Sequence, residues 1–204
     1  MSMKVAKPML PKGRPREFDP KKALDRALQV FWRKGYEGAS LSDLTKAMGI
    51  NRPSLYAAFG DKQALFRKAV DRYAKGPAAY ICQALQEPTA RAVAERLLHG
   101  SVDLLTNPAN PRGCLMVQSA LACGDAADCI REELASRRAA GQAAIHQRFK
   151  RAVSEGDLAA KADPADLARF IATVIHGMAV QAASGATRAE LRRVAETALR
   201  AWPG

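Results

Sequence analysis

Apolar residues recur at spacings of three and four along most of the chain, and nowhere do they alternate strictly with polar ones over the length of a strand. Each such run is a stripe on one face of a helix, so the pattern predicts an all-α protein. The first run opens at Asp19-Pro20, an N-cap with a first-turn proline. It carries Ala23, Leu24, Ala27, Leu28, Val30, Phe31 and Trp32 up to Gly35. Ser40 with Asp43 approximates a capping box for a short helix through Leu44, Ala47 and Met48, closed by Gly49. Asn51 caps the next helix, which has Pro53 in its first turn and ends at Gly60. Asp61 caps a fourth, with Leu65, Phe66, Ala69, Val70 and Tyr73 as its stripe, ending or bending at Gly76-Pro77.

Beyond that point helices are predicted over Thr89 to Thr106, Leu115 to Ala122, Ala126 to Ser154, Pro164 to Ser184 and Arg188 to Ala201. The stretch NPANPRG, Asn107 to Gly113, is the clearest interruption. The two final helices are well signposted, by Asp163-Pro164 and by a capping box of Thr187 with Glu190. Residues 1–18 read as a flexible basic arm, because Lys7-Pro8, Leu10-Pro11 and Gly13-Arg14-Pro15 forbid regular helix. The expected division is therefore an arm (1–18), a small helical module with a connecting helix (19–75) and a larger helical domain (76–204).

Charge sharpens this division. Residues 1–62 hold 13 Lys/Arg against 6 Asp/Glu, while the whole chain of 204 residues is +12, so under a third of the length carries over half the excess. A basic N-terminal third is the footprint of a polyanion binder. The alternative is a generally basic, soluble protein. No run of about 18 apolar residues occurs and the N-terminus lacks the apolar middle of a secretory signal, so a soluble, cytoplasmic protein without membrane association is expected. Cys82, Cys114, Cys123 and Cys129 are too few and too scattered for a disulfide framework.

The segment Gly49 to Phe66, GINRPSLYAAFGDKQALF, closes a helix–turn–helix: two short helices about a glycine-containing turn, the second suited to the DNA major groove. A groove about 12 Å wide admits one helix, and Arg52, Pro53 and Ser54 leave its first turn slim enough for close approach. Leu55 and Phe59, four apart, face inward, which leaves Arg52, Ser54, Tyr56 and Ala57 toward the groove or its walls. Arg52 is the candidate for bidentate contact with guanine. Tyr56 and Lys62, together with the amides opening the fourth helix, are candidate phosphate contacts, as are Ser40 and Ser42. In the arm, Arg14 and Arg16 flank Pro15 and fit a narrow A·T-rich minor groove, unless the arm is a solvated basic tail.

The run GASLSDLTKAMGINRPSLYAAFGDKQALF, with ALDRALQVFWRKGYEG before it, resembles the N-terminal signature of the tetracycline-repressor-like (TetR) family of bacterial transcription regulators. The similarity covers roughly Asp19 to Val70 and rests on agreeing features: a glycine-flanked aromatic, a Ser cap, a Gly turn, Leu-Tyr-x-x-Phe, and a cap followed by Lys-x-x-Leu. Arg52, Pro53, Ser54, Tyr56 and Lys62 match the family's DNA-contacting positions. The resemblance implies a three-helix DNA-binding module with a fourth connecting helix, and an all-helical C-terminal domain that binds a small effector and dimerises. It also implies a repressor released from a palindromic double-stranded operator. PRGCLMVQSALACG resembles a subset of the same family.

Other constellations compete with this reading. Cys114, Cys123 and Cys129 gather near one short helix, where Arg112 can lower a thiol pKa; a cysteine-based redox sensor competes there with small apolar filler. His99, His146 and His176 sit on separate helices without a paired ligand spacing, so no metal or cofactor is expected. No nucleophile elbow, P-loop or dinucleotide fingerprint occurs, so no enzyme is expected. A nonspecific architectural nucleic-acid binder remains the rival from another class. Phe170, Val174, Met178, Val194 and Trp202 are candidate dimer-interface residues, since two recognition helices held one DNA turn apart multiply discrimination. Tyr80, Leu98, Met116, Phe149 and Met178 are candidate effector-pocket residues.

Overall fold

The computed structural model describes residues 18–121 and 127–203. Among the described residues there are ten α-helices and no strand: α1 (Pro20–Gly38), α2 (Leu41–Met48), α3 (Arg52–Phe59), α4 (Lys62–Lys75), α5 (Tyr80–Ala84), α6 (Ala90–Thr106), α7 (Leu115–Leu121), α8 (Asp128–Ser154), α9 (Pro164–Ala183) and α10 (Arg188–Arg200). The helix starts follow local chemistry. Asp19 accepts the Lys21 and Lys22 amides at 2.8 and 3.4 Å, and Asp61 accepts that of Ala64 at 2.7 Å. Thr187 and Glu190 close a reciprocal capping box.

Two differences from the sequence reading have physical reasons. Helix α1 does not stop at Gly35: the glycine breaks it at φ 69°, ψ −178°, and one more turn continues to Gly38. That turn places Tyr36 against the Phe66 ring, 5.1 Å between centroids. Helix α5 was absent from the reading because it is five residues long with no side-chain cap. Ala122 and Ala126, expected as the end of one helix and the start of the next, lie outside the described residues, as do Arg14, Arg16 and Cys123.

Helix α1 packs on α2, α4 and α7; α8 and α9 pair, α6 lies on α9, and α10 crosses both α6 and α9. The apolar interior forms two clusters. One, with Leu97, Leu98, Ile145, Phe149, Ile171 and Trp202, lies among α6, α8, α9 and α10. The other is built on Phe31, Trp32, Leu55, Phe66 and Tyr73, but it also takes in Leu104, Leu115, Ile130 and Leu134 from α6, α7 and α8. The first four helices therefore do not close a core by themselves; α7 and the start of α8 complete it. Two of its aromatic pairs are edge-to-face, Phe31–Phe66 at 5.0 Å and Trp32–Tyr73 at 4.7 Å, an arrangement ring quadrupoles favour.

Candidate nucleic-acid interface and effector cavity

Helices α2 and α3 meet across Gly49, which holds φ 71°, ψ 33° and sends its N–H to the Thr45 carbonyl at 3.0 Å. Asn51 Oδ1 accepts the Ser54 N–H at 2.9 Å and so opens α3 beside Pro53, whose missing N–H falls where no intrahelical bond is due. Leu55 and Phe59 are buried, and the Lys68 ammonium donates to the Phe59 carbonyl at 2.8 Å, fastening the end of α3 to α4. Arg52, Pro53 and Ala57 are exposed, Tyr56 is 49% exposed, and Ser54 is half-buried by its place in the cap. The exposed Arg52 guanidinium makes no hydrogen bond or ion pair with any described residue.

The candidate phosphate contacts are arranged unequally. Ser42 is exposed, but the Ser40 hydroxyl is committed to its cap: it donates to Asp43 Oδ2 at 2.8 Å and accepts the Asp43 N–H at 3.0 Å. Ser40 thus shapes the start of α2 and has no proton left for a phosphate. The Lys34 ammonium, 2.9 Å away, and the bonds from Ser40 hold the Asp43 carboxyl at about 2. Lys62 lies 4.6 Å above the Tyr36 ring and donates to the Glu37 carbonyl at 3.4 Å. Burial pushes its pKa down, with the Glu37 charge acting the other way. One N–H of that ammonium is engaged and two remain.

In the larger domain a cavity of about 120 Å³ opens between the end of α4 and helices α5 to α9. Tyr80 and Met116 line it as expected from the sequence, whereas Leu98, Phe149 and Met178 do not. Those three pack into the surrounding core, and Phe149 meets Trp202 at 5.1 Å. The polar groups of the wall are ones the periodicity could not single out: Tyr73, Ser101, Cys114, Arg137, Arg138, Gln142 and His176. Tyr80 Oη and Ser101 Oγ are 2.8 Å apart, and the Tyr73 hydroxyl donates to Cys114 Sγ at 3.4 Å. Burial raises the pKa of both phenols, and burial followed by the Arg138 charge lowers that of His176, so the imidazole is neutral.

Met178 and Trp202 are also set apart from a subunit face, at 2% and 5% exposure inside the core. Phe170 (39%) and Val194 (43%) are exposed, Val174 is half-buried, and Val180 (42%) joins them, unforeseen, on α9. Phe170, Thr173, Gly177 and Val180 follow helical spacing along one exposed side of α9. The three histidines do not gather: His99 borders an open groove on α6, His146 a shallow depression of α8, and His176 the cavity. Cys82, Cys114 and Cys129 are free thiols, and Cys129 Sγ accepts from the Gln63 amide. Among the described residues no helix is long and apolar enough to cross a membrane.

These features coincide with those of known proteins. Residues 23–69 match the family described as bacterial regulatory proteins, tetR family, and residues 94–199 match the tetracyclin repressor-like C-terminal domain. The HTH-type transcriptional repressor ComR of Escherichia coli strain K12 is 34% identical over 197 residues, spanning 94% of this chain and 92% of that protein. A cysteine-substituted form of the TetR family regulator CifR, solved with 26-bp double-strand operator DNA, is 45% identical and superposes with a TM-score of 0.90 over 94% of this chain and all of that one. Reduced E. coli NemR shares the fold at 18% identity, with a TM-score of 0.68 over 87% of this chain and 94% of that one.

Proposed function

As a member of the TetR family of bacterial transcription regulators, the chain acts, we propose, in the cytoplasm as a homodimeric repressor that holds a palindromic operator through α3 and releases it when a small effector enters the cavity. The observation that carries this reading is that two sites share the same supporting helices. The outward face of α3 stands on residues that α7 and α8 help to bury, and the same two helices wall the cavity. Arg52 reads a base, Ser42, Tyr56 and Lys62 hold phosphates, and Arg14 and Arg16 lie outside the described residues as further basic contacts. One helix of eight residues reads few bases, and the exposed apolar side of α9 with Val194 of α10 gives a second copy a surface to cover.

The test is selection of bound genomic fragments followed by anisotropy titration at physiological salt. A selected fragment should be bound at least about a thousandfold more tightly than random DNA. A ratio near one sinks the reading in favour of a nonspecific architectural binder. Operator affinity that changes with peroxide, and only with the thiols intact, favours a cysteine sensor instead.

A further inference from the structure

The cavity wall contains two guanidiniums, from Arg137 and Arg138, and no carboxylate. Arg138 is half-buried, and its one hydrogen bond runs from Nη1 to the Met116 carbonyl at 3.1 Å; among the described residues it has no acidic partner. A guanidinium drawn out of water with four N–H groups unspent is a fork shaped for a carboxylate. Around it the wall is apolar, with Leu97, Val117, Ile145 and Ile175, and the space is about 120 Å³. An apolar cavity of roughly 150 Å³ takes a benzene ring, so the space here sets a single ring or a short branched chain as the upper size of a ligand.

Arg137, the next residue on α8, is engaged on its other side. It donates to Asp71 of α4 at 2.7 Å and to Glu133 at 3.1 Å, and Glu133 in turn holds Arg67 of α4 at 2.6 Å. Helix α4 follows α3 after only Gly60 and Asp61, so the pairs that seat α4 on α8 also set the pose of α3. A ligand carboxylate beside Arg138 competes with Asp71 for Arg137.

Building on the effector reading above, we propose that the cavity takes a compact organic acid of single-ring size, its carboxylate on Arg138, and that occupancy loosens operator binding by drawing Arg137 away from Asp71. The probes are benzoate and its neutral isostere benzamide, measured by calorimetry on the full-length dimer, with operator anisotropy alongside. Benzoate should bind at least tenfold more tightly than benzamide, and Arg138→Gln should erase that preference without lowering the melting temperature. Saturating benzoate should weaken operator binding at least tenfold in the wild type and less than twofold in Asp71→Asn, which lacks the Arg137–Asp71 ion pair while keeping that of Arg67 with Glu133. Equal binding of the two probes, or binding of neither, overturns the acid class; an equal response in Asp71→Asn overturns the route through Arg137. Operator release by benzamide that is blocked by the cavity-filling Ile145→Trp keeps the effector reading and removes the acid alone.

Discussion

On the function proposed above, Arg52 and Lys62 would divide the work of binding by their surroundings. Arg52, at the first position of α3, has no partner among the described residues, so its guanidinium can reach a guanine edge, and Arg52→Ala should lower discrimination at one operator position by about 1–3 kcal/mol while leaving random-DNA affinity little changed. Lys62 is held over Tyr36, where its ammonium would meet phosphate rather than a base edge, so Lys62→Ala should weaken binding to every sequence and reduce the salt slope by about one. Anisotropy titrations at several salt concentrations, on operator and random duplexes, separate the two; equal losses on both duplexes for both variants would refute the division. Asp43 makes a different prediction, on stability against pH. Its folded pKa of about 2 lies below the ordinary 3.8, so the folded state binds its proton later than the unfolded one. Its stabilising effect is complete above about pH 4 and is lost as the pH falls toward 2. The melting-temperature gap between wild type and Asp43→Asn should therefore be widest near neutrality and close at pH 2; a gap independent of pH would show that the Lys34–Asp43–Ser40 cluster contributes nothing through charge.

At the scale of elements, what the sequence made legible was what local chemistry decides. Asp19, Ser40, Asn51, Asp61, Asp163 and Thr187 each cap the helix expected of them, because a side-chain oxygen two or three residues ahead of an orphan N–H is a local arrangement. The inward pair Leu55 and Phe59 was legible for the same reason, since a four-residue spacing fixes a face. The cavity was not: Leu98 and Ile145 both sit on apolar stripes, and which of them meets open space depends on how α6, α8 and α9 cross. Nor did periodicity separate the core residues Met178 and Trp202 from the exposed Phe170, because a stripe wide enough to pack on two neighbours looks the same as one left for a partner. The turn of the helix–turn–helix gives the prediction that belongs here. Gly49 at φ 71° accommodates the reversal without a Cβ, and an added Cβ would stand 3.3 Å from Arg26 Nη1, the movable end of a long side chain. Gly49→Ala should thus cost about 1–2 kcal/mol, chiefly from the backbone, measured by denaturant unfolding. A change below about 0.3 kcal/mol would mean the turn relaxes to another conformation, and operator affinity would then fall without a loss of stability.

Across the whole molecule, the question is how a small cavity and a reading helix share one state, and Trp32 sits at the join. Its ring is almost wholly buried in the core that α1 and α4 build with α7, edge-on to Tyr73, and its Nε1–H donates at 2.9 Å to the carbonyl of Gly113, just before α7 begins. Tyr73 in turn lines the cavity and donates to Cys114, the residue after Gly113. One hydrogen bond therefore ties the first helix of the DNA-binding module to the loop that carries a cavity wall. Trp32→Phe keeps an aromatic ring against Tyr73 but leaves a buried carbonyl without its donor, which costs about 1–3 kcal/mol, to which the smaller ring adds a lost-packing contribution. Denaturant unfolding should show that loss as a lower midpoint with an unchanged slope. The functional expectation is distinct from the stability one: at a temperature where the variant is fully folded, operator affinity in the absence of effector should stay within about threefold of wild type, while the decrease caused by a bound effector should shrink, because the loop can then move without moving α1. If the variant is destabilised yet releases operator as fully as wild type, the coupling runs through the ion pairs between α4 and α8 and Trp32 serves the core alone.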